Sequence, residues 1–140
     1  MQMYTARNFP AGIENLPDVM GFLDSVLEEA DIDGAPAFNL QLAVDEAFTN
    51  IASYAYEDEV GNVQIRISVN GEAVVVSLID SGKPFDPLKI EPPDITLGID
   101  ERKVGGLGIY LIRKMTDSVT YERKDGQNIL TMTKNREESI

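Results

Sequence analysis

Two pairs of β-rich runs, each closed by a turn dipeptide, constrain the fold of this chain more than any other feature. Residues 62–69 and 72–79 are joined by Asn70-Gly71, and 118–123 and 128–133 flank Asp125-Gly126. Such dipeptides tolerate the positive φ that a tight turn requires, so each pair reads as an antiparallel hairpin. Residues 2–9 alternate loosely and fit a further strand at a sheet edge. Between them lies helical patterning. Pro17 suits a first turn, and Val19, Phe22, Leu23, Val26, Leu27 and Ala30 keep helical spacing until Asp31-Ile32-Asp33-Gly34 breaks it. A second helix is expected over about 36–56, with Leu40, Val44, Ala47 and Ile51 as its apolar stripe. A third is expected from Leu107 to Met115, with Leu107, Tyr110, Leu111 and Met115 on one side. The order β-α-α-β-β-loop-α-β-β predicts an α+β fold. The expected architecture is a two-layer α/β sandwich with a mixed, mostly antiparallel sheet and helices packed on one face. Residues 81–106 carry scattered Gly and Pro with no sustained period, and a loop of that length in a compact domain is usually a lid, a binding loop or disorder. The tail, 135–140, is expected to fray.

Composition narrows the chemistry. A chain of 140 residues is expected to form a single domain (1–140), long enough to bury a core without metal or disulfide staples. It has no Cys and no His, which removes thiol and imidazole ligands, Cys nucleophiles and His bases. Acid–base work must then rest on carboxylates, Lys or Tyr. With 24 acidic and 12 basic side chains the net charge is −12, which argues against nucleic acid and against an anionic membrane surface. No apolar run is long enough to span a bilayer and the first residues lack a signal-peptide layout. A soluble, cytoplasmic protein is the expectation.

Three segments could carry chemistry. On the second helix, Glu46 and Asn50 lie one turn apart on the shoulder where the apolar stripe ends, while Asp45 and Thr49 point away from the core. A carboxylate and an amide carbonyl so placed suit a hard cation such as Mg²⁺. Next, Asp80 leaves an apolar strand in Asp80-Ser81-Gly82-Lys83-Pro84-Phe85-Asp86-Pro87, where it could accept from a ligand's exocyclic amine and Gly82 could admit a flat ring. Last, Gly105-Gly106-Leu107-Gly108 opens the third helix, where exposed backbone N–H groups favour an anion. Taken singly, these also read as a polar helix flank, a turn and a plain loop-to-helix junction.

Taken in order, helix Glu-x-x-x-Asn, strand-end Asp-x-Gly, long loop and Gly-x-Gly at a helix start resemble the N, G1 and G2 boxes of the GHKL (Bergerat-fold, histidine kinase-like) ATPases. The Asp-x-Gly-x-Pro-Phe-Asp-Pro and Gly-Gly-Leu-Gly-Ile-x-Leu-Ile forms are similar to the anti-sigma-factor serine/threonine kinase branch. The resemblance covers residues 15–133. It implies ATP and Mg²⁺ as cofactors, with Asn50 as the metal residue and Glu46 as general base toward a Ser/Thr hydroxyl or a water. Asp80 would bind the adenine amino group, with Gly82 and Phe85 beside the ring. Gly105, Gly106, Leu107 and Gly108 would meet the phosphates, and 88–104 would be the ATP lid, with Arg102 and Lys103 at its exit. Phosphoryl transfer needs mainly positioning and charge neutralisation, so such a kit suffices. Pro84 stands where the wider superfamily often has a second glycine, and Ser53-Tyr54 where a basic or His residue often follows the N box. Missing His excludes internal histidine autophosphorylation, and no transducer or dimerisation region of the gyrase or Hsp90 kind is evident.

The resemblance implies a kinase that phosphorylates a small anti-sigma-factor antagonist, holds a sigma factor in another complex, and pairs as a homodimer through the N-terminal strand. Two alternatives stay open at this point. One is an ATP-binding regulator that holds a protein partner without phosphorylating it, and the other is an α/β adaptor that binds no nucleotide.

Overall fold

Alternation within the strands decides which face of the sheet is covered. The computed structural model describes residues 2–56, 61–89 and 106–136. Its elements are β1 (Met3–Pro10), α1 (Leu16–Glu29), α2 (Gly34–Tyr54), β2 (Asn62–Val69), β3 (Ala73–Asp80), α3 (Gly106–Met115), β4 (Ser118–Lys124) and β5 (Gln127–Asn135). Short 3-10 turns occur at Ile13–Asn15 and Pro87–Lys89. The strands form a five-stranded sheet in the order β1-β2-β3-β5-β4, and every pairing is antiparallel.

Val63, Ile65, Ile67 and Val69 of β2 are buried, whereas Arg66 between them is exposed. The register aligns them with Val74, Val76 and Leu78 of β3, and those with Leu130 and Met132 of β5. A period of two thus gives the sheet one apolar face. Helical side chains cover it: Val19 and Leu23 from α1, Leu40, Val44 and Phe48 from α2, and Ile109 and Ile112 from α3, all in one hydrophobic cluster. Helices and sheet form the two expected layers.

α1 ends where Asp31 turns left-handed at φ 56°. There the Ile32 N–H donates to Leu27 O at 2.9 Å and the Asp31 N–H to Glu28 O at 3.1 Å, a Schellman closure with buried Ile32 as its apolar plug. At the other end of the sheet, Asp125 and Gly126 both have positive φ, as a two-residue hairpin turn demands.

Several expectations are corrected. The β2–β3 turn is not centred on Asn70-Gly71. Asn70 Oδ1 instead accepts from the N–H groups of Glu72 (2.7 Å) and Ala73 (2.9 Å), which moves the tip one residue on. In α3 the core-facing residues are Ile109 and Ile112, while Tyr110 and Leu111 are only half-buried. Apolar side chains lie almost all round that helix, so periodicity could not choose a face. Asn135 and Arg136, read as the start of a frayed tail, are held. Asn135 pairs with Ala73, and the Arg136 guanidinium donates to Asn70 O (2.8 Å) and Ala30 O (3.0 Å). Residues 137–140 lie outside the described residues. Among the described residues, no helix is long and apolar enough to cross a membrane.

Candidate functional site

The long helix α2 carries Glu46 and Asn50 on its flank, as its spacing predicts. Asn50 is 9% exposed, and its Nδ2 has no hydrogen-bond partner among the described residues. A buried amide left unpaired costs free energy, so such a group is retained where something else engages it. Glu46 is half-buried. Burial raises its pKa above the ordinary value, and the neighbouring Asp45 carboxylate raises it further. Asp45 and Thr49, expected to point away, are half-buried, and the Thr49 hydroxyl lies 3.4 Å from Asp45 Oδ1.

α3 closes on this pair through a glycine. A Cβ added at Gly108 would lie 2.8 Å from Glu46 Oε2 and 3.6–3.7 Å from the Asn50 amide atoms. Any side chain there would strike the carboxylate, so the absence of one brings the first turn of α3 against the helix flank. The N-terminal end of α3, with its uncompensated N–H groups, therefore lies beside Glu46 and Asn50. Gly106 and Leu107 belong to the same turn. Gly105, Arg102 and Lys103 lie outside the described residues, as does most of the expected lid. Of that lid, Leu88 is half-buried. Its N–H donates to Asp86 Oδ1 at 2.9 Å, and its carbonyl accepts from Arg113 at 3.1 Å.

The other end of the site is built on β3 and β5. Asp80, 4% exposed, is the last inward-facing residue of β3. Both hydrogen bonds to its carboxylate among the described residues fall on Oδ1, from the Gly82 N–H and from Asn128 Nδ2, each at 2.9 Å. Gly82 is required by the protein's own backbone. Its ideal Cβ would lie 2.3 Å from the carbonyl oxygen of Ala55, the residue that caps α2, and the next N–H, of Lys83, donates to that same carbonyl at 3.0 Å. Glycine is needed because the loop after β3 hangs on the end of α2. Phe85 stacks on Tyr54 with ring centroids 5.7 Å apart and planes at 25°.

Sequence reasoning missed Asn128, Tyr121 and Arg123. Asn128, 5% exposed, pairs with Asp80 in register and uses every polar position it has. Its Nδ2 donates to Asp80 Oδ1 and to Lys83 O (2.8 Å), and its Oδ1 accepts from the Phe85 N–H (3.3 Å) and the Tyr121 hydroxyl. Arg123, opposite Asn128 on β4, donates to Gly82 O at 2.8 Å. The available signal was parity: Asn128 occupies an inward position of β5 whose neighbours in that series are Leu130 and Met132.

Between the two ends lies a narrow recess of about 30 Å³. Ala47, Ile51, Ala55 and Leu130 supply apolar walls, Asn50 and Asp80 lie at the polar ends, and the fully bonded Asn128 sits beside Asp80. Phe85, Pro87 and Tyr121 complete the lining. Segments far apart in sequence thus meet around one cavity. Among the described residues, no three carboxylates cluster as a ready-made metal cage.

Comparison with known proteins agrees with this geometry. Residues 9–134 match the histidine kinase-like ATPase domain family. The serine/threonine-protein kinase BtrW of Bordetella bronchiseptica is 31% identical over 97 residues, 69% of this chain and 68% of that protein. The serine-protein kinase RsbW of Bacillus cereus is 31% identical over 100 residues, which span 69% of this chain and 62% of RsbW. The fold is shared with a crystal structure of the RsbU and RsbW domains of a Mycobacterium tuberculosis protein (TM-score 0.69, 17% identity, 94% of this chain and 32% of that one). A histidine kinase domain from Erythrobacter litoralis also superposes (TM-score 0.55, 19% identity, 91% of this chain and 62% of that one). The motif order, the two-layer fold and these matches agree: the chain belongs to the histidine kinase-like ATPase domain family, with the BtrW and RsbW serine kinases among its relatives.

Proposed function

We propose that this protein is a Mg·ATP-dependent serine/threonine kinase of the anti-sigma-factor type, which phosphorylates a small antagonist protein and regulates transcription by partner switching. The observation that carries the reading is the unpartnered, buried Asn50 amide one helical turn from a carboxylate of raised pKa, both beside the start of α3, with Asn50 also lining the recess that ends at Asp80. The names of BtrW and RsbW support phosphoryl transfer to Ser or Thr.

In this reading Asp80 accepts from the adenine amino group, with Phe85 lining the base and Gly82 setting the loop beside it. Backbone N–H groups of Gly105, Gly106, Leu107 and Gly108 receive the phosphates, with Arg102 or Lys103 adding charge. Asn50 would hold a divalent cation through Oδ1, the one amide atom that can ligate, while the unpaired Nδ2 is a donor suited to a phosphate oxygen or water. Phosphates and water would complete the shell. Mg²⁺, when bound, neutralises phosphate charge. Glu46 takes the proton from the incoming Ser or Thr hydroxyl as its oxygen bonds to the γ-phosphorus. The bond from that phosphorus to the bridging oxygen breaks, and ADP leaves. The protein acts in the cytoplasm on an antagonist and on a sigma factor. The outer edge of β1 (β2 pairs its other side) offers backbone for a homodimer.

Two measurements test this. Mg·ATP or Mg·ADP at about 100 times its dissociation constant should stabilise the protein by about 2.7 kcal/mol, and no thermal shift with either removes the nucleotide reading. Partners captured from the native cell in Mg·ATP should then become phosphorylated on Ser or Thr by purified protein. Capture without phosphorylation would favour the non-catalytic regulator.

A further inference from the structure

Asn128 is more heavily bonded than a residue that merely fills space. The orientation of its amide is determined by its neighbours. The Phe85 N–H can only donate and the Lys83 carbonyl can only accept, so Oδ1 faces Phe85 and Nδ2 faces Lys83. In that orientation the second Nδ2 hydrogen reaches Asp80 Oδ1, which already accepts from the Gly82 N–H. Two donors saturate that oxygen. Asp80 therefore presents a single oxygen, Oδ2, to whatever enters the recess.

The number of acceptors offered matters to nucleobases. Adenine directs one exocyclic N–H at a carboxylate and needs one oxygen. Guanine engages a carboxylate through two parallel donors, N1–H and N2–H, and needs both. Building on the adenine-nucleotide reading above, we propose that Asn128 is a specificity-determining residue. By occupying Asp80 Oδ1 it holds the carboxylate in a one-oxygen presentation that accepts adenine and denies guanine its second hydrogen bond. Asn128 acts through Asp80 rather than on the ligand, so it is a positioning residue. Its effect lies in the ratio of affinities rather than in affinity alone.

The test uses purified full-length protein and equilibrium titration with ADP, GDP and IDP in Mg²⁺. IDP carries N1–H without the second donor. In the wild type, GDP should bind no tighter than IDP, because its extra donor finds no acceptor. GDP binding tighter than IDP would overturn the proposal without any mutation. In Asn128→Ser the ADP-to-GDP affinity ratio should fall about tenfold, the discrimination carried by one hydrogen bond. Ser77→Ala, which removes a hydrogen bond to Thr131 outside the recess lining, should keep the wild-type ratio. An unchanged ratio in a folded Asn128→Ser protein, or an equal fall in both variants, would also overturn it. Should the wild type bind ADP with none of these ratios as expected, only the specificity role is lost. Failure of ADP to bind at all removes the nucleotide reading with it.

Discussion

Glu46 and Gly108 meet at the centre of the site: an ideal Cβ on the glycine would stand 2.8 Å from Glu46 Oε2. The contact joins the helix that carries the candidate base to the helix whose N-terminus is proposed to meet the phosphates. A side chain at 108 would have to displace that carboxylate.

Replacing Gly108 with Ala tests that contact. Alanine favours the helix by up to about 1 kcal/mol, and the Glu46 carboxylate lies at the end of a flexible side chain that can swing away. The melting temperature should therefore change by a few degrees at most, whereas phosphoryl transfer should fall by about 10²-fold because the base is misplaced by about 1 Å. Paired unfolding and transfer measurements separate the two effects.

Asn50→Leu should trade function for stability. The amide Nδ2 is buried without a partner among the described residues, so an apolar side chain of similar size relieves a cost of about 1 kcal/mol in the nucleotide-free protein. Mg·ATP affinity should drop in the same variant. An Asn50→Leu protein less stable than wild type, as read by urea titration without nucleotide, would show that the amide is engaged in the free protein.

The pH dependence of Glu46 has a definite sign. Burial, then Asp45, raise its pKa in the folded state. The folded protein holds this proton at pH values where the unfolded chain has released it, so stability falls as pH rises through the interval between the two pKa values. Below the unfolded value of about 4.3 the side chain is neutral in both states and the penalty is absent. Glu46→Gln should therefore melt higher than wild type at pH 7, with the gain vanishing near pH 4. Transfer should fall by about 10²- to 10⁴-fold with nucleotide affinity nearly intact. Wild-type transfer should itself decline as pH falls through the raised pKa. A Glu46→Gln protein with a normal rate would remove Glu46 as base.

Asp80→Asn keeps an oxygen that can accept from Gly82 and Asn128, so the loop should hold. It replaces the remaining acceptor by an NH₂ group, which faces the adenine amine donor to donor. Nucleotide affinity should fall by about 10- to 100-fold in a protein that melts normally. Equal affinity by calorimetry would reject the adenine assignment.

Much of this was legible in the residues alone. Helical spacing placed Glu46 and Asn50 on a flank, and both hairpins form between the strands that their turn dipeptides separate. The misses have physical causes. The turn at Asn70 shifted because a side-chain oxygen took over two backbone donors, a choice that dipeptide statistics do not resolve. The packing role of Gly82 went unseen because the Ala55 carbonyl beside it comes from an element distant in sequence. Parity with Leu130 and Met132 marked Asn128 as inward-facing, but its pairing with Asp80 became visible only with the register of β5 against β3.

The suspension of the Gly82–Lys83 loop from the Ala55 carbonyl has a mechanical consequence. The turn that follows Asp80 cannot move along α2 without breaking that bond or forcing the glycine into the helix end. Asn50 and Ala55 are separated along the helix axis by about 7.5 Å at about 1.5 Å per residue. The last turns of α2 therefore serve as a ruler: the distance from Asn50 to the turn that follows Asp80 is measured out in helix backbone.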